Sequence, residues 1–106
     1  MPKYLVRGSY TAEGLQGVLR DGGSGRLAAV EHVVTSCGGS LEAMYFAYGD
    51  DDFYCILDFP DHLTMAAVAM TVKATGAVRS SAVPLLTADE VDTAARRSVD
   101  FAPPGA

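Results

Sequence analysis

Three consecutive aspartates, Asp50, Asp51 and Asp52, separate two strand-like runs in AYGDDDFYCILDF. Adjacent carboxylates can hold a hard metal ion, transfer protons or shape a turn. A metal of that kind needs several oxygens converging on one point. Successive strand residues point to opposite faces, so three neighbours do not converge without a bulge or a turn. Aspartate also takes up backbone N–H groups in tight turns. The expectation is an acidic hairpin tip with no metal. Asp52, first in its strand, is then the one carboxylate placed to act at the mouth of a pocket.

The remaining chemistry-bearing residues are dispersed. His32 falls on the helical wheel opposite Leu27, Val30 and Val34 and is expected to be exposed, with a partial charge near neutral pH. His62 follows Asp61 at a helix start, and no ligand spacing links the two histidines. Asp52 and His32 are therefore the candidate proton-transfer residues. The segment DGGSGR is glycine-rich and leads into a helix, so its N–H groups and the helix dipole can hold an anion at Ser24, Gly25 and Arg26. The same composition suits a flexible connector, and the P-loop lysine pattern is missing. Tyr4, Tyr10, Tyr45, Tyr48 and Tyr54 all lie in or beside strands. Tyrosines can line a largely apolar pocket with a few polar points, which makes Tyr4, Tyr45 and Tyr54 candidate ligand contacts. Arg7 and Arg79 supply a cation for an acidic ligand. Ordinary aromatic packing at an interface is the competing reading.

The elements that must position these residues read as follows. KYLVRGSY is a strand, and Thr11 is a plausible N-cap for AEGLQGVLRD. Gly14 and Gly17 weaken that helix by about 1 kcal/mol each, so a short or irregular helix ending at Gly22–Gly23 is expected. Leu27, Val30, Val34 and Cys37 recur at helical spacing until Gly38–Gly39. SLEAMYFAY and DFYCILDF form two strands around a turn at Gly49 to Asp51. A helix runs from about His62 to Thr75, and AVRSSAVPLL is a fourth strand. Pro84 places that strand at an edge or at its end. Thr87 with Glu90 forms a capping box for a short last helix. The order β-α-β-β-α-β is the ferredoxin-like arrangement of an α+β domain over residues 1–95, with the first helix split and a tail over 96–106.

Composition narrows the partners. At 106 residues with 49% hydrophobic and 20% charged side chains, a single packed domain is expected. A net charge of -5 with eight scattered Lys and Arg argues against nucleic acid. No apolar run approaches the ~20 residues of a membrane span. Cys37 and Cys55 form no CxxC pair and read as reduced thiols. The N-terminus enters a strand directly, so no signal peptide and a cytoplasmic location are expected. Self-association is expected on two grounds. The helix after Pro60 carries two apolar stripes, Met65, Val68 and Val72 on one side and Leu63, Ala67, Met70 and Ala74 on the other. A helix apolar on two sides is usually buried on two sides. Neither face of the two central hairpin strands is polar, whereas helices cover only one. The alternative is a monomer whose C-terminal helix and tail cover the other face.

KYLVRGSYTAEGLQGVL, GGSGRLAAVEHVVTSCGGSLEAMYFAYGD and DFYCILDFPD together resemble the GYD domain family over about residues 2 to 92. Gly49 and Asp52 stand on the Gly and Asp of its Gly-Tyr-Asp signature, with Asp51 in the place of the tyrosine. The resemblance implies a dimeric α/β barrel of two ferredoxin-like domains and brings no cofactor and no established reaction. Relatives by fold include cofactor-free monooxygenases, haem-degrading enzymes, lactone isomerases and amino-acid-sensing domains, so fold alone does not choose. The functional expectation is a small homo-oligomer that binds a small molecule or serves assembly. The alternative is a cofactor-independent enzyme acting on a small aromatic or carbonyl substrate.

Overall fold

The computed structural model describes residues 1–105. The elements are β1 (Lys3–Tyr10), α1 (Ala12–Ser36), β2 (Ser40–Phe46), β3 (Phe53–Asp58), α2 (His62–Ala74), β4 (Val78–Leu85) and α3 (Ala88–Ala95). The strands form one four-stranded sheet in the order β2-β3-β1-β4, and every neighbouring pair is antiparallel. This is the expected ferredoxin-like α+β fold. Pro84 lies on the edge strand β4, where its missing N–H leaves no ladder bond unmade in the sheet interior.

The first helix departs from expectation in an instructive way. It spans 25 residues, and its two halves meet at Gly22, whose φ of 75° and ψ of 172° are the one non-helical pair inside it. The split is real, but the expected connector shrinks to that single residue, so Ser24, Gly25 and Arg26 are helical. Gly14 and Gly17 do not make the first half irregular. A Cβ on Gly14 would come within 2.1 Å of the Ala77 carbonyl oxygen. Glycine there lets the start of α1 lie directly on the turn before β4. Thr11 fastens the same junction: its N–H donates to the Ala77 carbonyl at 3.0 Å and its hydroxyl to that of Gly76 at 2.9 Å. The Thr11 hydroxyl oxygen also accepts from the Gly14 N–H as N-cap.

Register fixes which side chains meet the helices. Tyr4, Val6 and Gly8 of β1 stand opposite Leu57, Cys55 and Phe53 of β3, and opposite Pro84, Ala82 and Ser80 of β4. These point toward α1 and α2. Leu5 and Arg7 stand opposite Ile56 and Tyr54 and point to the other face. Along β2 the two-residue alternation is broken by a bulge between Leu41 and Ala43. It puts Leu41, Met44 and Phe46 on one face, opposite Leu57, Cys55 and Phe53. The extra residue, Glu42, meets Lys3 Nζ at 2.5 Å, and Lys3 also reaches Asp58 at 3.2 Å.

The core is Tyr4, Val34, Phe53, Cys55, Leu57, Phe59 and Met65, with Phe59 wholly excluded from solvent. Of the two stripes on α2, Met65, Val68 and Val72 turn inward, whereas Leu63 and Met70 are exposed. Among the described residues no helix lies over the outward face of the sheet, and Tyr45, Tyr54 and Val83 on it are exposed. The alternative in which the C-terminal segment covers that face is overturned. No residue of α3 is buried, and Leu86, Val91, Val99 and Phe101 are exposed. The radius of gyration of 16.9 Å exceeds the about 13 Å of a compact domain of this length.

The two helical glycines should respond oppositely to alanine. Gly14→Ala is expected to cost about 1–3 kcal/mol through forced displacement of the Ala77 turn. Gly17→Ala, whose Cβ would meet only the Arg20 guanidinium at 3.7 Å, should stabilise by about 0.4–1 kcal/mol. Urea unfolding of the two variants checks both signs.

Candidate functional site

Helix α1 lies mainly over β2 and α2 over β4, the two edge strands. The central strands β1 and β3 therefore floor a cleft between the helices. A cavity of about 180 Å³ occupies it. Val6, Cys55 and Leu57 form part of its floor, and Val30, Val34 and Val68 part of its sides. The polar or ionisable groups on the wall are Tyr10, Arg26, Cys55, Lys73 and Ser80.

Arg26 is the unusual member. It stands one turn past the Gly22 kink, and its Nε is buried with no hydrogen-bond partner. Among the described residues, no carboxylate lies at salt-bridge distance from its guanidinium. Tyr10 neighbours it from the end of β1, with its ring 5.3 Å from that of Phe53. Burial pushes the Tyr10 phenol above its ordinary pKa, and a hydrogen bond from the Arg26 side chain, with its charge, pulls the other way. Burial also pushes the Cys55 thiol up to about 11. Both groups therefore keep their protons at neutral pH.

The three aspartates go separate ways. The Asp50 backbone carbonyl accepts from the Ser9 hydroxyl at 2.8 Å. Asp51 is 3.9 Å from Arg7 Nε on the surface. Asp52 Oδ2 accepts the Tyr10 N–H at 2.9 Å, while its own N–H donates to Gly8 and its carbonyl accepts from Ala47. Asp52 thus ties the hairpin base to the end of β1 and holds the backbone from which Tyr10 projects. Among the described residues, no group of three or more His, Cys, Asp or Glu side chains is arranged to hold a metal ion.

The sheet divides the other expected site residues. Tyr4 is on the helix side, deep in the core, where its hydroxyl meets His62 Nδ1 at 2.5 Å. Burial, then the Asp61 charge, raises its pKa. Arg7, Tyr45 and Tyr54 are on the opposite face, so the four do not form one site. The physical reason is the two-residue period: Tyr4 and Arg7 differ by an odd number of residues in one strand. His32 is exposed on α1 and is not part of the cavity wall. Of the anion candidates, Ser24 is exposed, Gly25 is half-buried and Arg26 alone reaches the cavity. Tyr10 was not singled out as a ligand contact. The available signal was its parity, since it shares the face of Tyr4 and Val6.

A family model described as the GYD domain matches residues 4–95, which include every residue of the cavity wall. No curated protein matches the chain.

Asp52→Ala should leave the Tyr10 N–H unmet and cost about 1–3 kcal/mol, whereas Asp52→Asn keeps an acceptor oxygen and should cost less; chemical denaturation measures both. Iodoacetamide at pH 8 should alkylate half-buried Cys37 in the native protein and spare Cys55 until denaturant is added, read by peptide mass spectrometry.

Proposed function

Because the chain belongs to the GYD domain family, we propose that it is a homodimeric small-molecule binder whose ligand occupies the cavity between α1, α2 and the sheet. The observation that carries this reading is the cavity itself. A void of about 150 Å³ in an apolar core takes up a benzene-sized molecule, and this one measures about 180 Å³. The wall is largely apolar with a few polar points, the usual form of a small-ligand site. Its chemistry favours holding over reacting. Among the described residues the wall has no histidine and no carboxylate, and its thiol and phenol stay protonated at neutral pH. A general base poised near neutrality is thus not among its groups.

Dimerisation accounts for the outward face. Leu5, Ile56, Tyr54, Tyr45 and Val83 share it, and no helix of the chain covers them. Packing this face on that of a second copy removes the apolar area from water, at roughly 25 cal/mol per Å². The C-terminal arm of α3 and the following residues, with Val91 and Phe101 exposed, is a further surface that a second copy can cover.

Toluene, titrated into the labelled protein, should shift the amide resonances of Val6, Cys55 and Val68 in heteronuclear NMR spectra. Ala69→Phe, which fills the cavity from α2, should weaken that binding at least tenfold and leave the mass of the assembly unchanged. In sedimentation velocity the native chain should run as a dimer and Val83→Glu as a monomer. A native monomer at micromolar concentration would refute the dimer, and absence of any toluene response would refute the cavity reading.

A further inference from the structure

We propose that the ligand is a small apolar carboxylate, with its acid group held between Arg26 Nε and the Tyr10 hydroxyl and its ring or short chain against Val30, Val34 and Val68. This rests on the reading that the cavity holds a ligand, and it names the class.

The cavity wall carries an unbalanced charge. A guanidinium stays protonated at any working pH. Burying it without a counter-charge or acceptor is costly, and native proteins pair such groups. Arg26 Nε is buried with no acceptor, and no carboxylate of the described chain stands at salt-bridge distance. Sequence composition makes this notable, since the chain carries 13 Asp and Glu against 8 Lys and Arg. Acids outnumber bases, yet the acids are elsewhere and the ionised groups on the cavity wall, Arg26 and Lys73, are both cations. The missing partner is an anion supplied from outside.

The wall also decides which anion. A phosphate brings two charges and several oxygens and needs many donors. Here one guanidinium with a buried Nε, one phenol and the hydroxyl of Ser80 are set in a valine-rich lining, with Lys73 exposed at the rim. A carboxylate asks for less: a single charge and two oxygens, one for the Nε–H and one for the phenol O–H. The rest of the molecule must then be apolar and small enough for about 180 Å³, the size of one ring or a short chain. Tyr10 is suited to its part because Asp52 fixes its backbone and Phe53 supports its ring. Its phenol remains protonated and so can donate.

Calorimetric or NMR titrations at pH 7 with benzoate, hexanoate, neutral benzamide, toluene and inorganic phosphate test this on the full chain. Benzoate or hexanoate should bind at least tenfold more tightly than benzamide, and phosphate should not compete. Arg26→Met should abolish that preference. Arg26→Lys should restore part of it, and Tyr10→Phe should weaken the carboxylate alone. A second readout guards against loss by misfolding. Arg26→Met removes a cation whose buried Nε has no acceptor, so the ligand-free variant should melt at or above the native temperature. Benzoate should then raise the melting temperature of the native protein only. Equal binding of benzoate and benzamide, or undiminished benzoate binding by Arg26→Met, would overturn the carboxylate assignment while the cavity reading stands. Failure of toluene as well as the acids would overturn both.

Discussion

The alternation of side chains along a four-stranded antiparallel sheet is the constraint from which the rest of this molecule follows. Each strand residue faces either the helices or the outside, and a slip of one residue exchanges the two sets. Tyr4, Val6, Cys55 and Leu57 build a core because they share a parity through the ladder. Leu5, Arg7, Tyr54 and Ile56 are carried out to the other side by the same rule. On β2 the rule alone would separate Leu41 from Met44, and the bulge brings them together. The inserted Glu42 is not left idle, because Lys3 draws its carboxylate toward the sheet end and in return is held more firmly protonated, chiefly through Glu42 and then Asp58.

The cavity is a consequence of where the helices rest. With α1 on one edge strand and α2 on the other, the middle of the sheet is left to be filled by side chains alone. Val, Ala and Met from the helices do not fill it entirely. The polar groups that reach this space come from the two places where the backbone is pinned or broken: Tyr10, beside the Asp52 tie, and Arg26, one turn past Gly22. An arginine in mid-helix can bury its aliphatic stem along apolar surface, and here its Nε is buried as well.

Much of the architecture was legible in the sequence, because its signals are local. Thr11 and Thr87 cap the helices expected of them, Gly22 marks the division of α1, and Pro84 sits on an edge. What escaped depends on contacts between distant segments. The tolerance of Gly14 within a regular helix rests on the Ala77 carbonyl, more than sixty residues away in sequence. The bulge at Leu41 depends on the partner strand and on Lys3. For the site, Arg26 was visible as a cation but was assigned to a glycine-rich loop, whereas its contribution is a side chain reaching past a kink. Tyr4 and Arg7 could share a ligand by residue type, but their odd spacing along β1 puts them on opposite faces.

The last helix carries a different lesson. Its capping box closes with both reciprocal hydrogen bonds, so α3 is a properly terminated helix rather than a frayed end. Yet it hides none of its residues, and the core of the chain is complete by the end of β4. The family pattern nevertheless runs on through Ala95. The unit that folds and the unit that the family model spans therefore differ by one helix.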